Sequence, residues 1–126
     1  MLSVSDVIAW LPTLGITTPV QDSWWVPPDP DRLVMVTISG GPGPIYERLF
    51  DRTAVTVRCR GLQRQPSDTE ALAAQVDEAV MGAVAPVMVG KTRVNDIDRA
   101  APPRFAGLDK AFRAEFVAVY LLTAVI

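Results

Sequence analysis

The segment Thr53-Ala54-Val55-Thr56-Val57-Arg58-Cys59-Arg60 decides the fold, because apolar and polar side chains alternate along it. Such alternation is typical of a β-strand with one face against a core. Val55, Val57 and Cys59 share the predicted inner face, so we expect Cys59 to be a buried structural thiol. Arg58 and Arg60 fall on the opposite face and are predicted to point outward.

Helical patterns lie on both sides of this strand. Val4 to Leu14 carries apolar residues at helical spacing, with Gly15 as its stop and Pro12 shortening or bending it. The second predicted helix runs from Ser67 to Met81. It opens with a capping box in which Ser67 is the cap and Glu70 reaches back.

Three further segments complete the predicted sheet: Leu33 to Ser39, Lys91 to Arg99 and Ala111 to Thr123. A Pro102-Pro103 turn and Gly107 are predicted to separate the last two. The order α-β-β-α-β-β indicates an α+β sandwich with a four-stranded, mainly antiparallel sheet and two helices. A chain of 126 residues fits a single domain, which we assign to residues 1–126.

The last predicted strand is apolar on both faces. Arg113 and Glu115 begin one face, which becomes apolar from Val117 onward. A strand of this kind needs cover on both sides, and one cover is predicted to be another subunit. Outward strand faces therefore supply the subunit-interface candidates, which are Arg58, Arg60, Arg113 and Glu115.

Two loops are candidates for contact with other proteins. Trp24 and Trp25 lie in a proline-rich segment, where they either cover the domain's own core or anchor a partner. The second candidate loop contains Gly41, Pro42 and Gly43. It follows a strand as phosphate-binding loops do, but its prolines supply no backbone N–H, so we interpret it as a structural or interface loop.

Composition excludes several function classes. The chain has no histidine and one cysteine, and its formal charge is -2. It therefore lacks the usual general base, a cysteine-rich zinc site and the basic surplus of a general nucleic-acid binder. We predict no catalytic residues, no cofactor and no metal site. No signal peptide or membrane span is predicted, which places the protein in a cytoplasm or in a particle assembled there.

Several segments resemble tail terminator proteins of long-tailed bacteriophages. The run Phe50-Asp51-Arg52-Thr53-Ala54-Val55-Thr56-Val57-Arg58-Cys59-Arg60-Gly61, followed by the helix Ser67 to Met81, is similar to their middle part. The stretches Ile97 to Gly107 and Asp109 to Phe116 are similar to their last hairpin. The resemblance extends from about Asp6 to Ala124.

This resemblance implies a structural virion protein and not an enzyme. It implies a homo-oligomeric ring, commonly a hexamer, that caps the tail tube, ends tube polymerisation and joins the tail to a neck or head-completion protein. DNA would pass through the ring without sequence readout, and the protein would reside in the tail–neck region of a virion assembled in the host cytoplasm. One alternative is another phage neck or head–tail connector protein, and a second is a small α+β ligand-binding module motivated by the tryptophan loop and the apolar last strand. A third is an enzyme that uses carboxylates alone, for which the candidates are Asp96, Asp98, Asp109 and Glu115.

Overall fold

The computed structural model describes residues 2–40 and 50–125. The predicted partner loop with Gly41, Pro42 and Gly43 lies outside the described residues. The helices are α1 (Val4–Trp10), which continues into a 3-10 turn over Leu11–Leu14, and α2 (Pro66–Met81). The strands are β1 (Val20–Asp22), β2 (Leu33–Gly40), β3 (Phe50–Gln63), β4 (Val87–Val89), β5 (Thr92–Leu108) and β6 (Arg113–Val125).

The predicted four-stranded α+β sandwich is wrong. About half of the described residues lie in strands, and these form one curled, mixed sheet of six strands accompanied by the two helices. The strand order is β1-β2-β3-β6-β5-β4. The β1–β2 pair is parallel and the other neighbours are antiparallel. The two strands that the prediction missed, β1 and β4, have three residues each, which is too short for side-chain alternation to show.

The core lies between the helices and the inner face of the sheet. As predicted, Val55, Val57 and Cys59 are buried there, and β6 adds Ala118, Tyr120 and Leu122. Helix α2 packs across β3, β6 and β5. Tyr120 also donates a 2.8 Å hydrogen bond from its hydroxyl to the Asp77 carboxylate of α2, so a polar contact fixes the helix over the sheet.

Helix α1 contacts both edges of the sheet. It packs against β1 and β2 on one flank and against β4 on the other. Its start is fixed by a capping box between Ser3 and Asp6, and Gly15 ends the following 3-10 turn with a φ of 92°. Asp6 also accepts hydrogen bonds from Lys91 N and from the Thr92 hydroxyl, both at 3.0 Å. The helix therefore ties the turn between β4 and β5 to the rest of the domain.

The start of α2 differs from the predicted capping box. The helix begins at Pro66, its N-cap is Gln65, and no side chain caps it. The Asp68 carboxylate instead accepts a hydrogen bond from Leu62 N at 3.0 Å and pairs with Arg32 at 2.6 Å. Pro66 accounts for the earlier start, because the fixed φ of proline suits the first helical position, where no backbone N–H is needed.

Gly61 lies inside β3, beyond the segment Thr53 to Arg60 that the alternation predicted. Strand β3 continues to Gln63, and α2 crosses so close to Gly61 that a Cβ there would overlap the Thr69 hydroxyl and lie 2.8 Å from Thr69 N. The glycine is thus required by the close approach of the helix and not by a turn.

Pro102 and Pro103 do not form the predicted turn either. They lie inside β5, a strand of 17 residues, and the turn before β6 falls at residues 109–112. Strand β4 pairs with Thr92–Val94, and no other described strand covers that side of β5, so the remainder of β5 is an open edge in the part of the sheet that the structure describes. An edge strand tolerates proline because N–H groups on its open side have no ladder partner. The β5–β6 pairing also shifts register at four places along this strand.

Candidate functional site

The two adjacent tryptophans are the most exposed aromatic side chains among residues 2–40 and 50–125. They belong to a segment between β1 and β2, residues 23–32, which we call the tryptophan loop. Trp24 is 93% exposed and Trp25 is 67% exposed, whereas Trp10 of α1 is buried in the core. The alternative that the pair covers the domain's own core is therefore wrong. Exposed tryptophans on a fixed loop match the anchors of protein interfaces, so partner contact stays a prediction for both residues.

Arg60 of β3 holds this loop from beneath. Its side chain is 1% exposed and donates to three backbone carbonyls of the loop: Pro27 at 3.0 Å, Pro30 at 2.6 Å and Asp31 at 2.9 Å. Burial lowers the pKa of the Arg60 guanidinium, and the nearby charge of Arg113 adds to this effect. The cation still persists at neutral pH, because arginine does not lose its proton in proteins.

Arg113 of β6 holds the same loop from the other side. One of its terminal nitrogens donates to Pro28 O at 2.7 Å and to the Asp31 carboxylate at 3.2 Å, while its Nε donates to Asp109 at 2.7 Å. Asp109 also accepts the backbone amides of Ala111 and Arg113 at 2.9 Å. The loop is therefore fastened to the turn between β5 and β6.

Local hydrogen bonds fix the backbone of the two tryptophans themselves. Trp24 N donates to the Asp22 carboxylate at 3.1 Å, and the Gln21 side chain donates to Trp25 O at 2.7 Å. Ser23 donates to Val36 O at 3.3 Å and joins the loop to β2. The two indoles are thus presented on an ordered backbone, which lowers the entropic cost of binding a partner.

The predicted subunit-interface residues divide into two groups. Arg58, Arg60 and Glu115 share the outer face of the β3–β6 pair, because Arg60 lies opposite Glu115 in the ladder. Arg58 and Glu115 form an ion pair within the chain at 2.8 Å, with 43% and 19% of their side chains exposed. Arg60 and Arg113 are buried and bond to the chain's own carbonyls. Subunit contact stays a prediction for all four, and the buried pair would affect a neighbour only through the loop that it holds.

Sequence reasoning missed the internal role of Arg60 and Arg113. Alternation placed them on the outer face, but it carried no information about a loop that folds across that face. The signal available was the proline content of the loop. Pro27, Pro28 and Pro30 have no backbone N–H, so the loop cannot form a regular ladder of its own, and its carbonyls are left open to side-chain donors such as arginine.

The outer face beyond the loop is apolar and only partly covered. Val117, Val119 and Leu121 of β6 are half-buried, and α1 and α2 both pack on the inner face. The expected cover of this outer face by another subunit stays a prediction.

A second exposed apolar surface lies where α2 ends and β4 begins. Met81, Val84 and Met88 are 41%, 83% and 55% exposed. Beside them is a hollow of about 150 Å³ lined by Pro86, Val87, Met88 and Arg93. A larger open cleft of about 450 Å³ lies on the opposite side of α1, where its lining includes Val4, Asp22, Trp24 and Ile38.

The remaining candidate groups are one thiol and four carboxylates. Burial raises the pKa of the Cys59 thiol to about 12, which keeps it protonated at neutral pH. Among the candidate carboxylates, Asp109 and Glu115 are engaged by arginines. Asp96 and Asp98 are exposed neighbours, and repulsion from Asp96 raises the pKa of Asp98. Within residues 2–40 and 50–125, no group of three or more His, Cys, Asp or Glu side chains is placed to hold a metal ion.

The helices that the structure describes include none long and apolar enough to cross a membrane.

Comparison with known proteins places the fold among those of virion components. A solved chain titled "Virion of native gene transfer agent (GTA) particle" matches with a TM-score of 0.67 and 17% sequence identity, covering 94% of this chain and 86% of that chain. At this identity the match establishes a shared fold. No family model matches the sequence, and no curated protein sequence matches it.

Proposed function

We propose that this protein is a structural component of a phage-like virion, and that it forms the ring that caps the tail tube. The observation that carries the proposal is the fold shared with a chain of a gene transfer agent virion over 94% of this chain. The ring would end tube polymerisation and join the tail to a neck or head-completion protein. DNA would pass through its centre without sequence readout.

The surface of the chain supports an assembly role. Exposed tryptophans stand on a loop held by two buried arginines, and a separate group of exposed apolar side chains lies at the end of α2. Surfaces of this kind mark protein–protein contacts. The chain as a whole has a formal charge of -2, and a protein without a basic surplus has no general tendency to hold DNA by its phosphates.

Native mass spectrometry against protein concentration tests the proposal. It should be run with and without divalent cations and with purified tail tubes, and large species should be examined by electron microscopy. We expect a closed ring of about six copies, a number that rests on the family resemblance, bound at one end of the tube. A chain that stays monomeric in solution and fails to bind tube ends would refute the ring.

Loss of the gene provides an independent test in the parent particle. We expect tails of uncontrolled length that fail to join heads. Normal tail length with normal head joining would remove the terminator role while leaving other virion positions open.

A further inference from the structure

Two exposed apolar surfaces lie near α1. The tryptophan surface is formed by Trp24 and Trp25, and the methionine surface is formed by Met81, Val84 and Met88. Val4 lines the cleft that also contains Trp24, whereas Asp6 bonds to Lys91 beside β4. Positions 4 and 6 point about 200° apart around a helix with 3.6 residues per turn. The cleft beside Trp24 and the turn that carries Lys91 therefore lie on different sides of the helix, so the two surfaces do not overlap and both can be occupied at once, as a repeating head-to-tail contact requires.

The tryptophan surface is apolar and acidic. Trp24 projects with 93% of its area exposed, and the carboxylates of Asp22 and Asp29 flank the indole pair along the chain. In the part of the chain that the structure describes, neither Asp22 nor Asp29 forms an ion pair.

The methionine surface has the opposite charge. The hollow beside Met88 is lined by Arg93, and Lys91 is two residues away. Both cations are exposed, and neither forms an ion pair with any residue in 2–40 or 50–125. A cavity of about 150 Å³ accommodates an aromatic ring. Methionine sulfur and arginine are also favourable neighbours for an indole, through sulfur–aromatic and cation–π contacts.

We propose that Trp24 of one copy inserts into the hollow formed by Pro86, Met88 and Arg93 of a neighbouring copy. Asp22 and Asp29 of the first copy would then face Lys91 and Arg93 of the second. The two surfaces differ, so the contact is heterologous and repeats around a closed ring. This inference rests on the proposed ring and names the surfaces that build it.

Two variants, each defective in one surface, test the contact. Trp24→Ala removes the anchor, and Met88→Glu places a carboxylate in the hollow, where it opposes the incoming acidic loop. Both side chains are exposed, so circular dichroism and thermal unfolding should match the wild type. We expect each variant alone to lose the ring, with the subunit dissociation constant raised at least about 30-fold. Leu108→Ala, which truncates an apolar side chain that is 58% exposed at the end of β5, is the matched control and should keep the ring.

Mixing the two variants distinguishes this contact from other modes of association. Trp24→Ala retains an intact hollow and Met88→Glu retains an intact anchor, so a 1:1 mixture should form one contact and stop at a mixed dimer. Native mass spectrometry would detect the pair by mass. Rings that persist in Trp24→Ala, a control that loses the ring equally, or a mixture without mixed dimers would each overturn the inference while the ring proposal stands. Failure of the wild type to form a ring, alone or on tube ends, would instead refute the proposed function.

Discussion

Replacing Arg60 by methionine should release the tryptophan loop. The change keeps a long side chain beneath the loop but removes the donors to the carbonyls of Pro27, Pro30 and Asp31. At about 1–1.5 kcal/mol net for each hydrogen bond, the three contribute about 3–4.5 kcal/mol. The variant regains part of this free energy, because methionine costs less to bury than a cation and the freed carbonyls can bind water once the loop opens. We therefore expect a loss of about 2–4 kcal/mol in the free energy of unfolding.

Urea unfolding of Arg60→Met checks this magnitude, and two probes of the loop check its location. Hydrogen exchange of the backbone amides in the loop should accelerate, and proteases should cleave within residues 23–32 before the remainder of the chain unfolds. Arg58→Met is the matched control, because it makes the same substitution two positions away on the same face. Its side chain is 43% exposed and pairs only with Glu115, so its loss should stay below about 1 kcal/mol. An Arg60 variant as stable and as protease-resistant as the Arg58 variant would refute the reasoning.

Three further predictions follow from single groups. Burial opposes ionisation of Asp109, but hydrogen bonds from Arg113 and from backbone amides outweigh it and hold its pKa below the usual 3.8. The ionised Asp109 carboxylate therefore stabilises the fold above the unfolded pKa of 3.8, and this stabilisation is lost as the pH falls through the lower pKa of the folded state. Asp109→Asn should consequently show a smaller fall in urea midpoint below about pH 4 than the wild type. Cys59, whose pKa burial raises to about 12, should react with a thiol reagent at neutral pH only at the rate of global unfolding; rapid labelling of the native protein would contradict its burial. Gly61→Ala should destabilise the domain by about 1–3 kcal/mol in urea unfolding, because its Cβ would overlap the Thr69 side chain, whereas Gly107→Ala, where a Cβ meets nothing within 4 Å, isolates the cost of backbone strain.

The sequence was informative where one physical requirement dominates a segment. Alternation in β3 predicted the buried Val55, Val57 and Cys59 because half of that strand faces a core and half does not. The end of the first helical segment was equally clear, since Gly15 adopts a left-handed conformation that other residues rarely take. In both places the local pattern was sufficient, because one local requirement determines the conformation of those residues.

The errors arose where distant contacts override local preference. Ser67 was predicted to cap α2, but the helix begins at Pro66 without a side-chain cap. The neighbouring Asp68 bonds to Leu62 and Arg32, contacts that the local sequence does not show. Pro102 and Pro103 indicate a turn unless they lie in an edge strand. Most of β5 is an edge because its partner β4 has only three residues, and a strand that short shows no side-chain alternation in the sequence. Arg60 was assigned to the correct face, but only the folded loop shows that this part of the face is covered. The candidate site was predictable as a pair of tryptophans in a loop, and not as a loop fastened by arginines.

The two prolines in β5 also limit how these molecules can join. Successive residues of a strand aim their N–H groups to opposite sides, so one member of Pro102-Pro103 leaves a missing donor on the open side whatever the register. The irregular pairing with β6 disturbs the same edge further. A foreign strand laid along β5 finds no continuous template, so growth of a shared sheet across this edge is disfavoured. Contacts of another copy at this edge must therefore be made through side chains, which fit a fixed geometry. Such an edge suits a component proposed to bring a polymer to its final length, because β5 offers no strand template to extend.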